Sequence, residues 1–179
     1  MNLVLVGYRG TGKTAVGRAV ASRLDMRYVG LDELIVRQAG RSIPRIVEQS
    51  GWDAFRDLEA RVVAEVAGLD RCVLDTGGGV VLRPVNVELL RSNGFVVWLV
   101  ASVSVIVGRI QGDTERPSLT GGKSFTDEVE EVLRARTAMY RAAADQIVDS
   151  SGCSLEEVVD LIERSFVHRL TVQDGARRP

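Results

Sequence analysis

The sequence predicts an α/β fold, a parallel sheet covered by helices on both faces, and three observations carry this. Short apolar runs alternate with longer stretches of helical periodicity along the chain. An apolar run at Asn2–Val6, a glycine-rich loop at Gly7–Thr14 and a helical stretch from Ala15 to Leu24 follow one another directly. Ligands of such sheets gather beyond the carboxyl ends of strands, and Gly7, Asp32 and Asp75–Gly79 all fall at that edge. At 179 residues the chain has room for one domain with a sizeable core.

The elements can be justified in order. Arg27-Tyr28-Val29 reads as a short second strand, ending at Gly30-Leu31-Asp32. Leu34, Ile35 and Ala39 have helical spacing, and Gly40 stops that helix. Ser42 is placed to cap a helix from Ile43 to about Gln49, with Pro44 tolerated in its first turn and a break at Ser50-Gly51. Trp52 to about Ala67 carries an apolar stripe of Phe55, Leu58, Val62, Val63 and Val66. Cys72-Val73-Leu74 is a buried strand with Asp75 at its carboxyl end, followed by Thr76 and three glycines. Pro84 opens a helix to about Ser92, Phe95–Val100 is a strand, and Val103–Ile110 is a short helix. The polar, glycine-rich segment at about 111–124 lies between helices and reads as a mobile lid carrying Arg116-Pro117. Phe125–Ala144 is a long helix and Gln146–Asp149 a last strand. Ser154 and Glu157 have capping-box spacing before a final helix that ends near Phe166. The expected domain is 1–166, with 167–179 a disordered tail.

Net charge is −1, so composition gives no support to a nucleic-acid partner. Cys72 and Cys153 match no metal spacing and are too few for a disulfide framework; the first reads as core, the second as a loop residue. No apolar run is long enough to span a bilayer. The first strand begins at once and leads into the glycine loop, so no signal peptide is expected and the expected location is cytoplasmic.

Gly7-Tyr8-Arg9-Gly10-Thr11-Gly12-Lys13-Thr14 fits G-x-x-x-x-G-K-[ST] in full. Backbone N–H groups of such a loop cradle phosphates, the following helix N-terminus favours negative charge, and Lys13 can reach the β- and γ-phosphates. The Thr14 hydroxyl can ligate Mg²⁺. No Asn-Lys-x-Asp guanine reader is present, and a motor would need a longer chain. A small-molecule kinase calls for a polar acceptor pocket, a lid and arginines against the transferring phosphoryl charge. Arg9, Arg56, Arg116 and Arg136 stand in suitable segments.

From residue 1 to about 166 the chain resembles the shikimate kinase family. The pieces, in order, are the phosphate loop, Asp32 after the second strand, Gly40-Arg41-Ser42-Ile43, and Phe55-Arg56 with Glu59. Gly77-Gly78-Gly79, Arg116-Pro117 and Arg136 four residues before Tyr140 complete them. The resemblance implies a three-layer α/β/α P-loop kinase fold with a five-stranded parallel sheet and a mobile lid. It implies transfer of the ATP γ-phosphate to the 3-hydroxyl of shikimate, a step of aromatic amino acid biosynthesis, with Mg²⁺ as cofactor; a monomer is expected. Asp32 can act as general base and hold acceptor hydroxyls, or be a helix N-terminal acid. Arg56 and Arg136 can pair with a carboxylate, which shikimate carries, or be solvated helix arginines. Gly77, Gly78 and Gly79 can admit substrate to the backbone, the middle one by family pattern, or simply turn the chain. Arg116 can close on the phosphates or be a loop arginine. The expected ATP site is Gly10, Thr11, Gly12, Lys13, Thr14 and Ala15 with Arg109 and Arg116; Arg109 matches a family residue that packs on adenine, or is an exposed helix arginine.

Three departures stand out. Gly30 replaces the first of two family aspartates after the second strand, Trp52 replaces an acid before Phe55-Arg56, and Ala138 replaces a proline. Asp75 is where other P-loop enzymes hold the Mg²⁺ shell, so Asp75 is expected to assume the role lost at Gly30, unless it is an ordinary strand-end aspartate. A kinase for another hydroxy acid such as gluconate, and a catalytically silent nucleotide-binding relative, remain open alternatives.

Overall fold

The structure, a computed structural model, describes residues 1–110 and 125–176. The expected lid, with Arg116, lies outside the described residues. Five strands, β1 (Asn2–Val6), β2 (Arg27–Gly30), β3 (Cys72–Asp75), β4 (Gly94–Val100) and β5 (Gln146–Asp149), form an all-parallel sheet in the order β2-β3-β1-β4-β5. The described helices are α1 (Lys13–Arg23), α2 (Leu31–Ala39), α3 (Ile43–Ala67), α4 (Pro84–Ser92), α5 (Val103–Ile110), α6 (Phe125–Ala143) and α7 (Leu155–Ala176).

Strand side chains alternate between faces, and that alternation makes the layers. Val4, Val6, Leu74, Val96 and Trp98 point to a core shared with α2, α3, α4 and α6. Leu3, Leu5, Val73, Val97 and Leu99 point the other way, to α1 and α7. β1, in the centre, is buried at every residue, as a strand covered on both faces must be. A smaller cluster of Tyr8, Ile106, Ile110, Val129 and Val132 ties the phosphate loop to α5 and α6. All strands run the same way, so the segments after β1, β2 and β3 emerge at one edge. There the register sets Asp75 between Leu5 on β1 and Gly30 on β2.

Local signals met different fates. Ser154 and Glu157 form the capping box: the Ser154 N–H and hydroxyl each donate to Glu157 Oε2 at 2.8 Å. Ser42 takes the N-cap position of α3, but its side chain makes no capping bond; only its carbonyl accepts, from the Ile46 N–H at 3.0 Å. The break at Gly51 is a kink, with φ 79° and ψ 172°, joining two helical arms within α3. Val80–Leu82 form a 3-10 turn that the sequence pattern did not indicate.

The end of the chain needs correction. The disordered tail expected after Phe166 is helical as far as Ala176. Leu170 continues the inner face four residues beyond Phe166 and packs on the α1–α7 core. The Thr171 hydroxyl donates back to the Val167 and His168 carbonyls, both at 2.9 Å.

Candidate active site

The loop after β1 is shaped by glycines where the backbone leaves no alternative. Gly10 and Gly12 have φ of 79° and 93°, the left-handed region that disfavours other residues. A Cβ on Gly10 would also lie 2.7 Å from Ile110 Cγ2. The Lys13 ammonium donates to the carbonyls of Gly7 at 2.9 Å and Tyr8 at 3.1 Å, across the head of the loop. The Arg109 guanidinium braces the loop from outside, donating to the Gly10 carbonyl at 3.2 Å and the Ser150 carbonyl at 3.1 Å. The Ser150 hydroxyl donates to the Thr11 carbonyl at 2.9 Å. The loop borders a cavity of about 490 Å³, with Lys13, Thr14, Asp32, Asp75 and Arg109 in its walls.

At the sheet edge of this cavity, Asp75 Oδ2 accepts two hydroxyl hydrogen bonds. One comes from Thr14 at 2.6 Å, the other from Tyr28 at 2.8 Å. Burial raises the Tyr28 pKa, and the Asp75 charge and hydrogen bond raise it further, so Tyr28 stays a donor at neutral pH.

A second, tighter pocket of about 50 Å³ lies between α2, α3, α6 and the glycines after β3. Asp32, in the first turn of α2, borders both cavities. Arg56 donates to Glu59 Oε2 at 2.7 Å, one turn along α3, and its guanidinium lies 5.0 Å from the Phe55 ring centre and 5.5 Å from that of Trp52. Trp52 meets Phe55 edge to face at 5.7 Å. Glu59 is 1% exposed, and its pKa is raised, by burial above all, against the lowering influence of Arg56. Arg136 donates to the Gly78 carbonyl at 3.0 Å, and the Tyr140 hydroxyl donates to the same oxygen. Arg9 pairs with Glu128 of α6 at 2.6 Å, both nearly buried.

Glycine is required after β3 by crowding. A Cβ on Gly77 would lie 2.9 Å from both Asp32 Oδ1 and Glu59 Oε1, and one on Gly79 would overlap the Arg56 guanidinium. At Gly78 a Cβ would meet only backbone at 3.4 Å or more.

The shikimate kinase family model matches residues 9–166. The chain belongs to the shikimate kinase family. A shikimate kinase of Syntrophus aciditrophicus is 46% identical over 176 residues, covering 92% of this chain and 90% of the relative. One from Nitratidesulfovibrio vulgaris is 41% identical, covering 88% and 93%. The solved shikimate kinase from Acinetobacter baumannii in complex with shikimate superposes with a TM-score of 0.86 at 32% identity, covering 95% of this chain and 93% of that one. The α/β/α arrangement is therefore the family's P-loop kinase fold. The chain is an ATP-dependent kinase of the shikimate pathway, acting on an alcohol group. Among the described residues no helix is long and apolar enough to cross a membrane.

The structure brings Lys13, Thr14, Asp32, Arg56, Gly77, Gly78, Gly79, Asp75, Arg109 and Arg136 around two adjoining cavities. Arg116 is outside the described residues. Asp32 is a helix-start acid, and it also borders both cavities. Arg56 and Arg136 are held by Glu59 and Gly78 rather than loose in solvent. Sequence reasoning missed Tyr28, Glu128, Ser150 and Tyr140 as members of this site. The i, i+3 spacing of Arg56 and Glu59 could have shown their pairing; Arg9 and Glu128, 119 positions apart, left no local signal.

Proposed function

We propose that the chain transfers the γ-phosphoryl group of ATP to the 3-hydroxyl of shikimate. The nucleotide phosphates lie in the larger cavity over Gly10–Ala15 and the acceptor in the tighter pocket. The observation carrying this division is Asp32, which faces both. A carboxylate at that boundary can accept the acceptor hydroxyl's hydrogen bond, orient it toward the phosphoryl group and take its proton. Arg56 and Arg136, whose anchors fix each guanidinium at the pocket wall, pair with the shikimate carboxylate. Gly77, Gly78 and Gly79 line the acceptor side, and the first and last leave room for Asp32, Glu59 and Arg56 beside it. Arg109 supports the nucleotide side. Arg116 is assigned to charge stabilisation on sequence alone.

The residues fit Mg²⁺. Thr14 gives its hydroxyl hydrogen to Asp75, which leaves the oxygen lone pairs for a hard cation, and Asp75 adds a second oxygen group beside it. Thr14 and Asp75 would hold the ion, which when bound neutralises charge on the β- and γ-phosphate oxygens. Lys13, at the head of the loop, adds fixed positive charge. The transition state is loose, so these residues act through position and charge more than through base strength. All these groups come from one chain, so a monomer suffices.

ADP release from Mg·ATP, measured separately with shikimate, quinate and gluconate, tests the proposal. Turnover is expected with shikimate and near background with the other two. Turnover only with another acceptor would leave the scaffold standing and overturn the pocket assignment.

A further inference from the structure

Tyr28 is held in a built slot that the phosphate chemistry so far does not use. Its ring lies against the backbone of α1 at Gly17, where a Cβ would come within 3.1 Å of the ring's Cε2. Glycine inside a helix costs about 1 kcal/mol relative to alanine, and at Gly17 it makes space for this ring. Arg18 covers the ring, its guanidinium 4.3 Å from the centroid, and is itself paired with Glu33 at 2.7 Å. The slot delivers the hydroxyl to Asp75 Oδ2 at 2.8 Å. Gly30, beside Asp75 in the sheet, leaves room for it: a Cβ there would sit 3.3 Å from the Tyr28 oxygen and 3.2 Å from Glu33 Cδ.

We propose that Tyr28 is a positioning residue for the divalent-cation site, acting through Asp75. Two donors on Oδ2 fix the rotation of the Asp75 carboxylate. Asp75 Oδ1, which accepts no hydrogen bond among the described residues, is left to face a cation or its water. The same arrangement fixes Thr14. Its one hydroxyl hydrogen is committed to Asp75, so its lone pairs keep a constant direction. The order is Tyr28 to Asp75 to Thr14: an outer donor orients the groups that meet the metal. The proposal rests on the assignment of Thr14 and Asp75 to the metal.

The test is Mn²⁺ binding to the full chain with ADP, read by the electron paramagnetic resonance signal of free Mn²⁺, with metal-free ADP affinity measured alongside. Tyr28→Phe keeps the ring and removes only the hydroxyl. It should weaken Mn²⁺ binding about tenfold, the lower end for loss of an outer-shell partner, and leave metal-free ADP affinity unchanged. Asp75→Ala should weaken Mn²⁺ binding at least as much, and the double variant should be no worse than Asp75→Ala alone. Unchanged Mn²⁺ affinity in Tyr28→Phe, with Asp75→Ala impaired, would overturn the role of Tyr28 and leave the metal assignment intact. Additive losses, or an equal loss of metal-free ADP affinity, would also overturn it. Unchanged affinity in Asp75→Ala would remove the metal assignment and the proposal with it.

Discussion

Around the larger cavity, the loop after β1 is largely backbone, held by glycines at positive φ and braced by Arg109 and Ser150. Around the tighter pocket, the facing side chains are already engaged: Arg56 with Glu59, Arg136 and Tyr140 with the Gly78 carbonyl, Arg9 with Glu128. The difference suits the proposed division of ligands between them. Phosphates are met by N–H groups whose geometry follows from chain path alone. A small hydroxy acid must be distinguished by charge and shape, which needs side chains fixed before it arrives.

The largest expected effect falls at the boundary. Asp32→Asn removes the carboxylate that faces both cavities while preserving its shape. Turnover should fall by about 10²- to 10⁴-fold, the range for loss of a positioned base, with ATP affinity by equilibrium binding largely retained. Near-normal turnover would refute the base assignment.

Gly79→Ala separates the halves. The Gly79 backbone, with φ −109°, accepts alanine, but the new methyl would displace the Arg56 guanidinium, while Glu59 is buried and cannot follow. Loss of one charged hydrogen bond is worth about 1.5–3 kcal/mol, so KM for shikimate should rise by roughly ten- to a hundred-fold, with KM for ATP little changed. An equal rise in both would show that the cavities do not act independently.

This contrast also explains what could be read from the sequence. The phosphate loop is eight consecutive residues between a strand and a helix, so Gly10, Gly12, Lys13 and Thr14 were legible locally. The sheet followed from its alternating apolar runs. The acceptor pocket gathers residues from α2, α3, the segment after β3 and α6. Its arginines could be named as candidates, but their anchors could not. Tyr140 reaches Gly78 across 62 positions, and Tyr28 reaches Asp75 across 47. Such pairs depend on sheet order, which no short window contains. Leu170 shows the reverse error: the chain end was expected to be a tail, while the apolar face continued into it.

Glu59 gives the comparison a pH signature. Burial raises its pKa, opposed by Arg56 and assisted by the Asp32 charge. A raised carboxyl pKa means the fold holds the proton more tightly than the unfolded chain does. The stability this provides is fully present below the usual glutamate range and is lost as pH rises through the folded-state value. Glu59→Gln cannot ionise. Thermal unfolding from about pH 4 to about pH 8 should therefore show the variant gaining on wild type as pH rises. A gain by wild type instead would mean that the Arg56 pairing outweighs burial.

Tyr140→Phe should give the smallest effect, and it asks whether the acceptor wall depends on a single anchor. Tyr140 is fully buried, and its ring stacks on Trp98 at 5.6 Å, a contact phenylalanine keeps. Burial pushes the tyrosine pKa up to about 12, so the group lost is a neutral donor. The Gly78 carbonyl still receives Arg136 at 3.0 Å and is not left without a partner. The cost is then one net hydrogen bond, about 1 kcal/mol, or about 2–4 °C in Tm for a chain of this size. If shikimate KM stays within about twofold while Tm falls by that amount, Arg136 alone holds the glycine turn; twofold is less than 1.4 kcal/mol would produce. A tenfold rise in KM would show that both donors are needed to keep Gly78 in place, and that Tyr140 belongs to the substrate site as a positioning residue.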